Sequence, residues 1–165
     1  MADTPKTNAM RLLDRAKIPY RVHTYEHREG QAVDGIHVAQ MLGQDPAGVY
    51  KTLVTRAGRE FYVFDIPVDR ELDLKKAARA VGEKSVEMIR VDEINKVTGY
   101  VRGGCSPLGM KKQFVTVFHR DVERLETVTV SGGKIGLQIE AAPGPLLALI
   151  GAATADLVAE RQERE

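Results

Sequence analysis

The sequence predicts an α/β fold of the mixed α+β type: one domain over residues 1–165, with a mixed, barrel-like β-sheet surrounded by helices. Three observations carry this expectation. Short runs rich in β-branched residues alternate with stretches of helical apolar spacing along the whole chain. Some neighbouring strands are joined by tight turns, which favours antiparallel pairing, and others by helices, which permits parallel pairing. No linker, internal repeat or low-complexity stretch divides the 165 residues.

Each element has a local reason. Asp3-Thr4-Pro5 offers a cap and a first-turn proline, and Ala9, Leu12, Leu13 and Ala16 then repeat at helical spacing until Ile18-Pro19. Tyr20–Tyr25 alternates as a half-buried strand, and Val33–Leu42 is a helix stopped by Gly43. Gln44-Asp45-Pro46 turns into the strand Val49–Thr55, and Ala57-Gly58-Arg59 turns that strand into Phe61–Ile66. Asp73 caps a helix that runs to Ala80 and ends at Gly82, and Val86–Ile89 is a short strand. Asp92 caps a short helix ending at Thr98-Gly99. Strands follow at Phe114–Phe118, Thr127–Val130 and Leu137–Ile139, and Pro145 opens a terminal helix that Gly151 interrupts. The expected total is seven strands and four or five helices.

Composition narrows the function classes. The start, Met-Ala-Asp-Thr-Pro-Lys, has no apolar h-region, and the run around Pro145–Ile150 is too short to span a bilayer, so no membrane partner is expected. One cysteine excludes an internal disulfide and fits a reducing cytoplasm. The net charge of +1 provides no global field for DNA. Locally the balance differs: Ile94 to Arg120 carries Lys96, Arg102, Lys111, Lys112 and Arg120 with no acid. Such a face either is simply solvated or holds a phosphate-bearing ligand locally.

Two glycine-rich stretches stand out, Gly99–Lys112 and Ser131-Gly132-Gly133-Lys134-Ile135-Gly136. Glycine turns let successive N–H groups form anion-binding nests, which suggests a pocket for a group that is or becomes anionic. Cys105 sits in the first stretch near Arg102 and Lys111, yet His23, His27, His37 and His119 show no spacing that defines a dyad with it. A small non-catalytic side chain is the better reading of Cys105. Walker A, dinucleotide and zinc-ligand patterns are absent, so no metal or cofactor is expected. Ser106 and Ser131 adjoin glycines, where turn chemistry is the ordinary role, and no nucleophile elbow is present. Lys51 lies in the otherwise apolar strand Val49-Tyr50-Lys51-Thr52-Leu53-Val54, sharing parity with Val49 and Leu53. A lysine there must reach water along its stem, shift its pKa or meet an anion. Tyr25 ends the preceding strand, where it either lines the same pocket or is a core tyrosine with its hydroxyl in water.

His23-Thr24-Tyr25-Glu26-His27, Lys51-Thr52-Leu53, Leu74-Lys75-Lys76-Ala77-Ala78, Gly99–Lys112, Ser131-Gly132-Gly133-Lys134 and Gly136–Glu140 together resemble the YbaK/EbsC family over nearly the whole chain. That family is a branch of the prolyl-tRNA-synthetase-associated editing domains. Ile135 departs from it, standing where a second basic residue is common. The resemblance implies a mixed barrel-like sheet surrounded by helices and a free-standing enzyme that hydrolyses mischarged Cys-tRNA(Pro). It implies no side-chain nucleophile: the substrate's own thiolate attacks its ester carbonyl. On that model the N–H groups of Gly103 and Gly104 stabilise the oxyanion and Lys51 anchors the 3′-terminal nucleotide. Tyr25, Thr52, Ser106, Ser131 and Gly132 then form the substrate pocket. The implied partners are the 3′ aminoacyl end of tRNA(Pro) and prolyl-tRNA synthetase. Two rivals stand beside it: an Ala-tRNA(Pro) deacylase using an activated water, and a tRNA- or nucleotide-binding module without catalysis.

Overall fold

The computed structural model describes residues 5–28 and 31–161. Eight strands form two sheets. A three-stranded antiparallel sheet has the order β1 (Tyr20–Thr24), β7 (Leu137–Ala141), β6 (Val128–Ser131). A five-stranded mixed sheet has the order β4 (Glu87–Met88), β2 (Tyr50–Ala57), β3 (Glu60–Pro67), β5 (Val115–His119), β8 (Ala153–Ala155). β4, β2 and β3 are antiparallel, whereas β5 pairs parallel to both β3 and β8. The expected barrel is not closed. The two sheets touch at a single parallel bridge, Val49 to Thr129, where β2 leaves one sheet beside β6 of the other.

Local chemistry sets the five helices. The expected first cap, Asp3-Thr4, lies outside the described residues. α1 (Asn8–Arg15) is capped by Thr7, whose hydroxyl accepts from the Met10 N–H at 3.2 Å and donates to the Gly132 carbonyl at 2.6 Å. One side chain thus fastens the first helix to the second glycine loop. α2 (Gly35–Leu42) is capped by Asp34 and stopped by Gly43, and α3 (Leu74–Ala80) is capped by Asp73. Before α4 (Ile94–Thr98) the chain makes a 3₁₀ turn at Val91–Glu93, so Asp92 lies inside that turn and is not the helix cap. α5 (Pro143–Ile150) starts two residues before the expected Pro145 and ends at Gly151. β8 was not expected. Ala-Thr-Ala is too short and too plain to show a strand period, and β5 alone recruits it.

Three of the four apolar clusters among the described residues hold the sheets, helices and glycine loop together. Leu13, Phe118, Ile139 and Leu146 join the small sheet to α1 and α5. Phe64, Ile66, Ala77 and Leu157 seat α3 on one face of the large sheet. Val54, Val63, Tyr100, Cys105 and Met110 seat the first glycine loop on its other face. That loop is therefore a packed layer over β2 and β3, and the cavity opens at its edge.

Candidate active site

A cavity of about 890 Å³ lies where the two sheets meet, walled by β2, the loop before α2 and both glycine loops. Of the residues singled out from the sequence, it brings together Tyr25, Lys51, Thr52, Gly103 and Ser131. The cavity wraps the start of β2, so Lys51 and Thr52 both reach it although strand parity turns them to opposite faces. Lys51 stands opposite Ile66 in the register, and no carboxylate among the described residues forms an ion pair with it.

Gly104, Ser106 and Gly132 do not line the cavity. The Gly104 N–H donates to the Val101 carbonyl at 3.0 Å, which removes it as an oxyanion donor. A Cβ on Gly104 would lie 2.8 Å from the Ile135 nitrogen and 2.9 Å from the Lys134 carbonyl carbon. The two glycine loops thus touch backbone to backbone, and the missing side chain is what lets them meet. Ser106 is fully buried, with its hydroxyl accepting from the Leu108 N–H at 3.3 Å. Gly132 uses its N–H on the Leu137 carbonyl and its carbonyl on Thr7. Ser131 combines a place on the cavity with a turn role, accepting from the Gly133 N–H at 3.2 Å. Gly103, at φ +83°, sits on the cavity wall, and its N–H has no partner among the described residues.

Cys105 also lines the cavity but is 8% exposed. Burial pushes its thiol up to about 12, so it is a neutral SH near pH 7 and a poor nucleophile. Among the described residues no three His, Cys, Asp or Glu side chains converge in a way that would hold a metal ion.

Sequence reasoning missed several walls of the site. Ala32, Val33, Ile36 and Val38 close it from the α2 side, and Arg102, Glu71 and Gln138 bring polar groups to it. It also missed Asp65, which is fully buried beneath Thr52 and shares a hydrogen bond with the Thr52 hydroxyl. The signal was present: an acid inside Phe61-Tyr-Val-Phe-Asp-Ile66 is as anomalous as Lys51 inside β2.

The cavity thus brings two cations, Lys51 and Arg102, and two acids, Asp34 and Glu71, beside Gly103, whose N–H has no partner among the described residues, and beside a thiol held neutral. The comparisons name the class. The family model for the aminoacyl-tRNA editing domain matches residues 31–146, and the chain belongs to that family. The Enterococcus faecalis protein EbsC, named as a Cys-tRNA(Pro)/Cys-tRNA(Cys) deacylase, is 42% identical over 153 residues, covering 92% of this chain and 93% of the relative. A 98-residue stretch of the proline–tRNA ligase of Trichlorobacter lovleyi is 30% identical, covering 59% of this chain and 17% of that enzyme. A crystal structure described as a trans-editing enzyme for prolyl-tRNA synthetase superposes with a TM-score of 0.79 at 26% identity, covering 95% of this chain and all of that one.

Proposed function

We propose that this protein is a cytoplasmic trans-editing hydrolase that deacylates Cys-tRNA(Pro) and works beside prolyl-tRNA synthetase. One observation carries the reading: the cavity gathers Lys51, Thr52, Tyr25 and Gly103, whose N–H has no partner among the described residues, while its only cysteine is held neutral. A site that lacks its own nucleophile is suited to a substrate that brings one. Cysteine and proline have similar size, and a synthetase pocket separates such mimics poorly, so a second hydrolytic site is the general remedy.

In the proposed step the substrate thiolate attacks its own ester carbonyl. The S–C bond forms, the C–O bond to the tRNA 3′ end breaks, and the departing oxygen takes up a proton as the cyclic thiolactone is released to water. Positioning supplies much of the rate, because well-oriented intramolecular attack reaches effective molarities of about 10⁵–10⁸ M. Gly103 N–H stabilises the carbonyl oxygen as it becomes an oxyanion, a contribution of about 3–4 kcal/mol for one such donor. Lys51, half-buried and without an ion-pair partner among the described residues, meets the terminal nucleotide or its phosphate.

Incubating excess enzyme with Cys-tRNA(Pro), Ala-tRNA(Pro) and a Ser-tRNA tests the reading. Rapid loss of cysteine with little loss of serine is expected, because a hydroxyl is a far weaker nucleophile than a thiolate. Comparable deacylation of serine would overturn the substrate-assisted step. Preference for alanine would transfer the assignment to the water-using branch, and binding without hydrolysis would leave a tRNA-binding module.

A further inference from the structure

The buried carboxyl under the cavity has no place in the mechanism above, and its surroundings give it one. Asp65 is 0% exposed and faces Thr52 directly across the β2–β3 pair. Its Oδ1 shares a hydrogen bond with Thr52 Oγ1, whereas its Oδ2 has no partner among the described residues. None of the ion pairs among those residues includes it. The titratable groups that face it are the Tyr50 hydroxyl on β2 and the Cys105 thiol on the glycine loop, and burial raises both, so both are neutral near pH 7.

We propose, on the editing reading above, that Asp65 is a positioning residue that acts through Thr52: as a neutral acid it donates its proton to Thr52 Oγ1, turning the Thr52 hydroxyl into a donor aimed at the carbonyl oxygen of the aminoacyl ester. The argument is one of hydrogen-bond inventory. A hydroxyl has one proton and two lone pairs. When Asp65 is ionised, Thr52 must give it that proton and presents only lone pairs to the cavity. When Asp65 is neutral, its acid proton needs an acceptor, and Thr52 Oγ1 is the one group among the described residues at hydrogen-bond distance from it. The Thr52 proton is then free for the cavity, where it joins the Gly103 N–H on the same developing charge. An oxyanion needs donors, so the neutral acid is the productive state, and an ionised carboxylate beneath the carbonyl would also oppose the charge forming there. Burial raises the Asp65 carboxyl to about 8, only partly offset by the Thr52 hydrogen bond, which keeps it neutral at pH 7.

Two measurements test this. The carboxyl carbon of Asp65, assigned by comparison with Asp65→Asn, is followed by ¹³C NMR across pH in wild type and Thr52→Val. It is expected to titrate near 8 and to move when Thr52 is removed. The second reads single-turnover deacylation of Cys-tRNA(Pro) as the ratio of Asp65→Asn to wild type, which cancels the titration of the substrate thiol. Asparagine donates to Thr52 at every pH, so this ratio is expected to rise about tenfold between pH 7 and pH 9 as wild-type Asp65 ionises. It is expected to stay flat in the Thr52→Val background and to rise again with Thr52→Ser, with circular dichroism confirming that each variant folds. A flat ratio with Thr52 present, or a carboxyl that titrates at an ordinary aspartate value, overturns the proposal while leaving the editing function intact. Absence of deacylation by the wild type overturns the editing reading itself.

Discussion

Lys51 and Cys105 face one cavity with opposite chemical prospects. The lysine forms no ion pair with a carboxylate among the described residues, while the thiol is locked in its protonated form by burial. Lys51→Ala is therefore expected to lose about a hundredfold or more in single-turnover deacylation, and Cys105→Ser to keep most of the rate. A dead but folded Cys105→Ser variant would point to an enzyme thiol instead. Asp65 also leaves a mark on stability. Its folded-state value, about 8, lies above its ordinary value of 3.8, so the folded protein holds a proton that the unfolded chain releases. Stability is then lost as pH rises from about 4 to about 8, at on the order of 1.4 kcal/mol per unit. Asp65→Asn removes that slope, and urea titrations at pH 5 and pH 8 are expected to show a variant whose advantage over wild type grows at the higher pH. Lys51 was legible in the sequence because a charge in an apolar strand is a local anomaly. Asp65 carries the same anomaly, but only the register shows that it faces Thr52.

At the scale of elements, the site rests on the contact between the two glycine loops. Gly104 has no room for a side chain because the backbone of Lys134 and Ile135 lies against it. Gly104→Ala must push the loops apart and is expected to cost about 1–3 kcal/mol, read as a drop in Tm of several degrees. Gly103→Ala has two penalties: a left-handed φ that costs a substituted residue roughly 1–2 kcal/mol, and a Cβ placed 2.5 Å from the Ala32 Cβ. Because Gly103 also carries the unpaired N–H, its substitution is expected to lower kcat by about a hundredfold beyond any loss of fold. The loops were visible in the sequence as composition. Their division of labour was not: Gly104 and Gly132 spend their N–H groups on neighbouring carbonyls, Val101 and Leu137, and Gly103 does not.

For the whole molecule, a net charge of +1 and, among the described residues, two cations on the cavity wall, Lys51 and Arg102, beside the acids Asp34 and Glu71, imply few phosphate contacts. The affinity for aminoacylated tRNA is expected to fall with salt at a slope of about −2 or shallower in log–log form, measurable by fluorescence anisotropy from 50 to 300 mM salt. A slope several times steeper would mean that the tRNA body is held by a broad basic face. A weak hold on the body would leave the choice of tRNA to a partner, the role proposed above for prolyl-tRNA synthetase. No helix among the described residues is long and apolar enough to cross a membrane.

Most elements and the α/β class were legible in the sequence because caps, glycine stops and strand alternation are written within a few residues of where they act, and the family was legible in the resemblance of its glycine-rich and Lys51-Thr52-Leu53 segments. Only in the folded chain does the sheet prove to stay open as two sheets, bridged among the described residues from Val49 to Thr129, since strand pairing across eighty residues leaves no local trace. Tertiary structure also decided which amide is free, which carboxyl is buried and which thiol is neutral. Those are properties of burial and of hydrogen-bond partners, and a partner distant in sequence is fixed only when the chain has folded.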